Sequence, residues 1–376
     1  MTEVRPGAGP RSDRSPAVGP GSARPARPDR PDRPRDRRGQ RHRRAALVLA
    51  VLTPLVAELA LGSTPIRMAW LVLLWVPVYG AGVLFVREAV VRRGRGWPSI
   101  LVLAVAYELL EDGLGLQALT SPHLYDAAGW GLRVAGFNAP YWLTNVVYHA
   151  VFTLVVPIAL TGLVFPRHRG RPYLGRTGLV VSGLVALLGV GVLRVSVPPV
   201  EDPGYQAPAG FVLGCVAAVV LLGVLALVVL PPARPRTVPV PVPSRTTLAS
   251  GAGVATLCFV LLSFPLGDAT QPAFTHGAWV VLPMVGVVVL ASAAYVSLRR
   301  WSAAPGWSDR HTLATLGGAL VGHTVGGLVA LADTVVDRVG LLVVVVLTVL
   351  GVTLLDRCLG VHEHPTSAAA GPFETS

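Results

Sequence analysis

Ten apolar blocks, each about 17 to 25 residues long, follow one another from Ala45 to Asp356 and leave this chain few ways to fold. They fall at approximately 45–62, 69–86, 99–119, 141–165, 177–197, 209–231, 247–266, 277–297, 312–332 and 340–356. A helix rising about 1.5 Å per residue needs about 20 residues to cross ~30 Å of hydrocarbon. Backbone polar groups cannot be left open to lipid, so these blocks must be helices. Of the 376 residues, 52% are hydrophobic and 14% charged, against about a quarter charged in soluble proteins. The expected fold class is all-α: a polytopic transmembrane helical bundle of about ten helices.

The charges orient the bundle. All 32 basic residues are arginine, and 13 of them precede Ala45. With the N-terminus in the cytoplasm, the tails and cytoplasmic connections hold 28 arginines, among them Arg92, Arg93, Arg95, Arg167, Arg169, Arg171, Arg299 and Arg300. The opposite side holds only Arg67, Arg133, Arg194 and Arg338. The positive-inside rule therefore puts both termini in the cytoplasm and predicts a multi-pass protein of the cytoplasmic (inner) membrane. A pI near 10.7 then reflects membrane orientation, and no nucleic-acid partner is expected. The expected partners are the lipid bilayer and anionic head groups at the arginine-rich face. Cys215, Cys258 and Cys358 show neither disulfide nor zinc spacing.

Residues 1–44, rich in Arg, Pro and Asp, bury almost nothing and read as a disordered cytoplasmic tail. Residues 45–230 form a first transmembrane part, helices 1–5 plus helix 6. A Pro-rich cytoplasmic linker, 231–246, leads to helices 7–10 over 247–356, and 357–376 is a cytoplasmic tail. The outward loop 120–140, with His123, Tyr125, Asp126, Trp130 and Arg133, reads as an ordinary interfacial loop with an aromatic anchor, a lid, or a helix lying in the interface. Arg87 and Glu88 read as snorkelling anchors of helix 2, and Asp333, Asp337 and Arg338 as a solvated turn. His276, at the start of helix 8, tells little. The glycines of GGALVGHTVGGL read as close helix packing.

Three carboxylates, Glu108, Glu111 and Asp112, stand inside the third apolar block. Each ionised group costs roughly 2.5 to 3.5 kcal/mol at the centre of a membrane helix, so such residues face a protected interior or do chemistry. Their i, i+3, i+4 spacing puts them on one helix face. Asn145 and His149 share a face of helix 4, Glu58 sits near the end of helix 1, and His323 lies in helix 9. Counted from the outward surface, all seven fall in the outer half of the bilayer. Glu108, Glu111, Asp112 and His149 are the candidate catalytic residues; Glu58, Asn145 and His323 are candidate binding residues. Carboxylates and imidazoles together activate water, alone or with a divalent metal, or relay protons in a coupled transporter of a small solute. In the enzyme reading, Glu111 is the general base, Asp112 and Glu108 its partners, and His149 a stabiliser or metal ligand. In the carrier reading, Glu108 and Glu111 titrate as a pair. A third reading has these groups pair with one another to hold the bundle together. No cofactor other than a possible divalent metal is indicated, and no nucleotide or hydrolase motif is present.

ELLEDGLGLQ followed by NVVYH resembles the CAAX-protease and bacteriocin-processing family of intramembrane glutamic proteases. The resemblance implies a membrane-embedded hydrolase using Glu111 and Asp112 as the paired acids and His149 and His323 as histidines of later motifs. The chain departs from that pattern at Asp112, at Leu116 in place of arginine, and at Asn145 in place of an aromatic residue. The slab also lies toward the outer face, whereas that family's site opens to the cytoplasm. The GSTP turn at Gly62–Pro65, the Tyr79-Gly80 to Trp97 segment and the Glu111–Gly113 acidic-pair-Gly motif are similar to a group of uncharacterised multispanning membrane proteins of bacteria and archaea. That likeness covers roughly residues 54–122 and implies no activity.

Overall fold

The computed structural model describes residues 35–125, 132–233, 237–263 and 278–363. Most of the N-terminal tail, the end of the C-terminal tail, Asp126, Trp130 and His276 lie outside the described residues. Within them ten helical rods run in sequence: α1 (35–59), α2 (Ile66–Arg92), α3 (97–115), α4 (Ala139–Val164), α5 (Arg176–Glu201), α6 (Ala209–Val229), α7 (Arg245–Ser263), α8 (Val281–Trp301), α9 (Asp309–Ala330) and α10 (Val335–Glu363). Eight are long and apolar enough to cross a membrane; the other two, α1 and α3, are those whose apolar stretches are interrupted by charge. Helix α1 begins at Arg35, inside the stretch read as tail, and α10 continues to Glu363, past the expected boundary at 357.

Which helices face lipid follows from which faces stay apolar and uncovered. Only 6% of α10 and 11% of α6 and of α8 are buried, and their exposed residues are Leu and Val, such as Val335, Leu347 and Leu221. Helix α4, by contrast, is 67% buried. It contributes to both hydrophobic cores. One joins α1 to α6 around Leu49, Val83, Ala104, Leu119 and Leu154. The other joins α1 and α4 to α7, α8 and α9 through Val56, Phe152, Val260, Val287 and Leu320.

Helices α7 and α9 approach backbone to backbone, as the glycine pattern predicts. A Cβ on Gly318 would meet the Ala249 carbonyl, and one on Gly322 would lie 2.3 Å from the Gly253 carbonyl oxygen. Hydrogen can be the only side chain at such a crossing.

One turn in each of the first four rods widens into π-helix: Leu55–Leu59, Val76–Ala81, Leu109–Gly115 and His149–Val155. Proline explains the fourth, because it donates no backbone N–H and its ring displaces the carbonyl one turn earlier: Pro157 acts on Thr153, inside that turn. Pro54 and Pro77 stand at the start of the first and second. The π-turn of α3 holds Gly113 and Gly115 instead.

Among the described residues, the segment after α3 carries a hairpin. Its two strands, β1 (Arg133–Val134) and β2 (Phe137–Asn138), turn through Ala135 and Gly136, both at positive φ. That is the backbone a two-residue hairpin turn requires. The loop is tied inward: the Ser121 hydroxyl donates to Asp202 at 2.6 Å, and Arg133 donates to the Ser121 carbonyl at 3.0 Å.

Two expectations about charge are corrected. Arg87 and Glu88 do not snorkel to the surface; they are 2% and 0% exposed and paired at 2.6 Å. The Arg87 guanidinium also donates to the carbonyls of His168, Arg169 and Arg171 and lies 3.3 Å above the centre of the Tyr173 ring. Glu88 accepts from the backbone N–H groups of Tyr173 and Leu174 at 2.7 and 3.1 Å. Together they clamp the α4–α5 connection, and burial pushes the Tyr173 hydroxyl above its ordinary pKa while Arg87 opposes that shift. Asp337 is likewise not solvated: it is 3% exposed, pairs with Arg67 and accepts from the Thr334 hydroxyl at 2.6 Å.

Candidate functional site

The four π-turns converge. They carry Glu58 on α1, Tyr79 on α2, Glu111 and Asp112 on α3, and His149 on α4, with Glu108 one residue before the α3 turn. A π-turn closes i→i+5 hydrogen bonds, so each one rotates the following side chains away from their α-helical direction, and such turns concentrate at functional sites. On α3, Glu108, Glu111 and Asp112 all point inward and are 0%, 2% and 2% exposed.

His149 stands between two of the carboxylates. Its Nε2 lies 3.3 Å from Glu108 Oε2, and its Nδ1 lies 3.8 Å from Glu111 Oε2. Nδ1 is also 3.0 Å from the Thr153 hydroxyl, one helical turn on. Glu108, Asp112 and His149 each offer a ligand atom within 4.8 Å of the others. Both oxygens of Glu108, Oε2 of Glu111 and Oδ2 of Asp112 are buried with no donor group outside the carboxyls to satisfy them, while the Glu108 and Asp112 carboxyls approach each other closely enough to share a proton. Among the described residues, His149 is the only salt-bridge partner of Glu108 and of Glu111.

Aromatic rings wall the cluster. Tyr79 stacks on His149 at 6.2 Å, while Tyr107 and Tyr148 sit 5.7 Å from its ring centre. The hydroxyls of Tyr79 and Tyr107 approach the Glu111 carboxylate, and Tyr79 also neighbours Glu58. Tyr107 completes no hydrogen bond of good geometry there.

The remaining candidates are placed around this centre. Glu58 is half-buried and accepts from the Ser63 and Thr64 hydroxyls at 3.0 and 2.8 Å, so the GSTP turn caps a carboxylate. His323 is fully buried but one residue removed: its Nε2 is 3.1 Å from the Tyr148 hydroxyl, and its ring stacks on Phe152 at 4.1 Å. Tyr148 in turn donates to the Ala57 carbonyl. Asn145 turns back on its own helix and donates to the Tyr141 carbonyl at 3.0 Å. Four contributors escape a reading by charge alone: Tyr79, Tyr107, Tyr148 and Thr153. The signal that could have marked two of them is adjacency, since Tyr107 directly precedes Glu108 and Tyr148 directly precedes His149.

Fold and site define an all-α multi-pass membrane protein with a buried cluster of carboxylates and an imidazole among its helices. The chain belongs to an uncharacterised family of membrane proteins, whose sequence model matches residues 47–357. No curated protein and no solved structure matches it.

Proposed function

We propose that the protein is a membrane-embedded hydrolase that cleaves an ester or amide bond in a substrate reaching the site through the bilayer. The observation that carries this reading is the meeting of a general-base type of carboxylate, Glu111, with His149 and with two tyrosine hydroxyls at one buried point. In the proposed step, Glu111 takes a proton from water as the water oxygen bonds to the substrate carbonyl carbon. The hydroxyls of Tyr79 and Tyr107 donate to the oxyanion that develops. The proton then passes to the leaving nitrogen or oxygen as its bond to carbon breaks, giving an acid and an amine or alcohol. Donors held in a dry site are worth far more than in water, and a positioned base contributes about 10²- to 10⁴-fold. In this reading the site lies in the outer half of a cytoplasmic membrane with anionic lipid at the opposite face, a placement that the arginine distribution supports.

The second reading is a proton-coupled carrier of a small solute. It draws on Tyr79, which neighbours both Glu58 and Glu111 and so links the exposed Ser63 region to the cluster. One experiment separates the two. Extracted host membrane components are reconstituted with the protein in water enriched in ¹⁸O, and products are searched for label in a new carboxylate. The hydrolase reading expects label with the wild type and about 100-fold less with Glu111→Gln. Equal label in both refutes it. Proton flux lost in Glu111→Gln, with no label in either protein, supports the carrier.

A further inference from the structure

We infer that Glu108, Asp112 and His149 hold one divalent transition-metal ion of the zinc type. The inference deepens the hydrolase reading, on which its catalytic consequence rests: the ion would carry the water that Glu111 deprotonates.

The first argument is charge. Three carboxylates lie within a single helical face in the membrane, and the only salt-bridge partner of Glu108 and Glu111 among the described residues is one histidine. Nearby arginines are occupied elsewhere, Arg87 by Glu88 and loop carbonyls and Arg67 by Asp337. Buried charge without a counter-charge is costly, so the cluster is neutralised by protons or by a positive ion from outside the chain, and a metal ion competes with protons for these oxygens.

The second argument is the unpartnered oxygens. Glu108 is fully buried and faces the cluster; no donor outside the carboxyls reaches either oxygen, and its one side-chain neighbour of hydrogen-bonding kind besides His149 is the Asp112 carboxyl, the other oxygen ligand of the set. Its Oε2 approaches His149 Nε2 to 3.3 Å without forming a hydrogen bond. Two donors that a tetrahedral zinc holds at about 2.0–2.2 Å lie roughly 3.3 Å from each other. The third donor needs to close from within 4.8 Å, a movement of about 1 Å available to a carboxylate torsion.

The third argument is the outer support. A metal-bound imidazole characteristically gives its other ring N–H to a fixed acceptor. Here Nδ1 faces the Thr153 hydroxyl at 3.0 Å, which leaves Nε2 directed at the carboxylates. Three protein ligands with a fourth position open is the arrangement of catalytic rather than structural zinc.

The test uses the full-length protein in lipid nanodiscs, stripped with chelator and titrated with Zn²⁺, with Co²⁺ as a spectroscopic probe. We expect one ion per chain, lost at least about 100-fold in affinity in Glu108→Gln and Asp112→Asn, and weakened about 10- to 100-fold in Thr153→Val. Glu111→Gln keeps the ion. His149→Cys adds a sulfur-to-cobalt charge-transfer band, a readout that does not depend on activity or on the first two variants folding. Binding no tighter in the wild type than in Glu108→Gln/Asp112→Asn, or bound cobalt without that band in His149→Cys, overturns the inference. The two proposals fail separately: ¹⁸O transfer without a bound ion removes the metal and keeps the hydrolase, while a bound ion without ¹⁸O transfer does the reverse.

Discussion

Replacing Arg87 by leucine tests how much of the bundle depends on a charge that the sequence places at a membrane edge. The change leaves Glu88 buried with its charge, still held by two backbone N–H groups and by Arg92 at 3.5 Å. It also strips donors from three carbonyls of the α4–α5 connection and removes the guanidinium from Tyr173. Breaking a buried pair from one side costs about 3–5 kcal/mol, and a carbonyl left unsatisfied costs roughly 1 kcal/mol at the low end. Because that connection can regain water at the membrane surface, we expect about 4 kcal/mol, not the full total. Glu88 keeps most of its partners, so Arg87→Leu/Glu88→Gln should recover about 2 kcal/mol of it by removing the uncompensated charge. Reversible unfolding in mixed micelles measures both values. Trypsin cleavage after Arg167 or Arg169 reports loosening of the connection independently. A loss below about 1 kcal/mol, or single effects that add within about 0.5 kcal/mol, would refute the clamp.

Four further outcomes follow from the geometry. Gly322→Ala, whose Cβ would sit 2.3 Å from the Gly253 carbonyl oxygen, should destabilise by about 1–3 kcal/mol by forcing α7 and α9 apart. Gly351→Ala, with nothing within 4 Å, should be neutral or stabilise by up to about 1 kcal/mol in the same unfolding measurement. His323→Gln should lower ¹⁸O transfer by less than about 10-fold, whereas His149→Gln should lower it by about 100-fold or more; equal losses would move His323 into the cluster. Asp309→Asn removes a two-pronged but half-exposed pair with Arg169, and should cost less than about 1 kcal/mol, shrinking as salt rises.

The rods and the site were not equally legible. Ten apolar lengths and the arginine alternation suffice for the helices, because bilayer thickness and backbone satisfaction admit one solution. The meeting of Glu108, Glu111, Asp112 and His149 follows from depth along each rod. What escapes is anything set by rotation about a helix axis. Counting at 3.6 residues per turn fails across a π-turn, so the inward swing of Tyr79 could not be computed; nor does counting show that Asn145 bonds back to its own helix. Arg87 was assigned to the surface by its position near a helix end. Only the fold of the 166–175 segment over it makes it interior, and that packing is long-range.

The three carboxylates of α3 also bear on how the chain enters the membrane. If charged at the moment of insertion, they oppose partition of that segment by several kcal/mol, more than Leu and Val there return at a few tenths each. Helix α3 therefore cannot settle in lipid by itself. Its entry depends on α1 and α2, made before it, and on α4, made just after, whose π-turn supplies His149. The second face of α4 then stays uncovered until α7 and α9 are synthesised. Biogenesis of this protein is thus a matter of timing: the segment that is most expensive to insert must wait beside the translocon for the helices that shield its polar face from lipid.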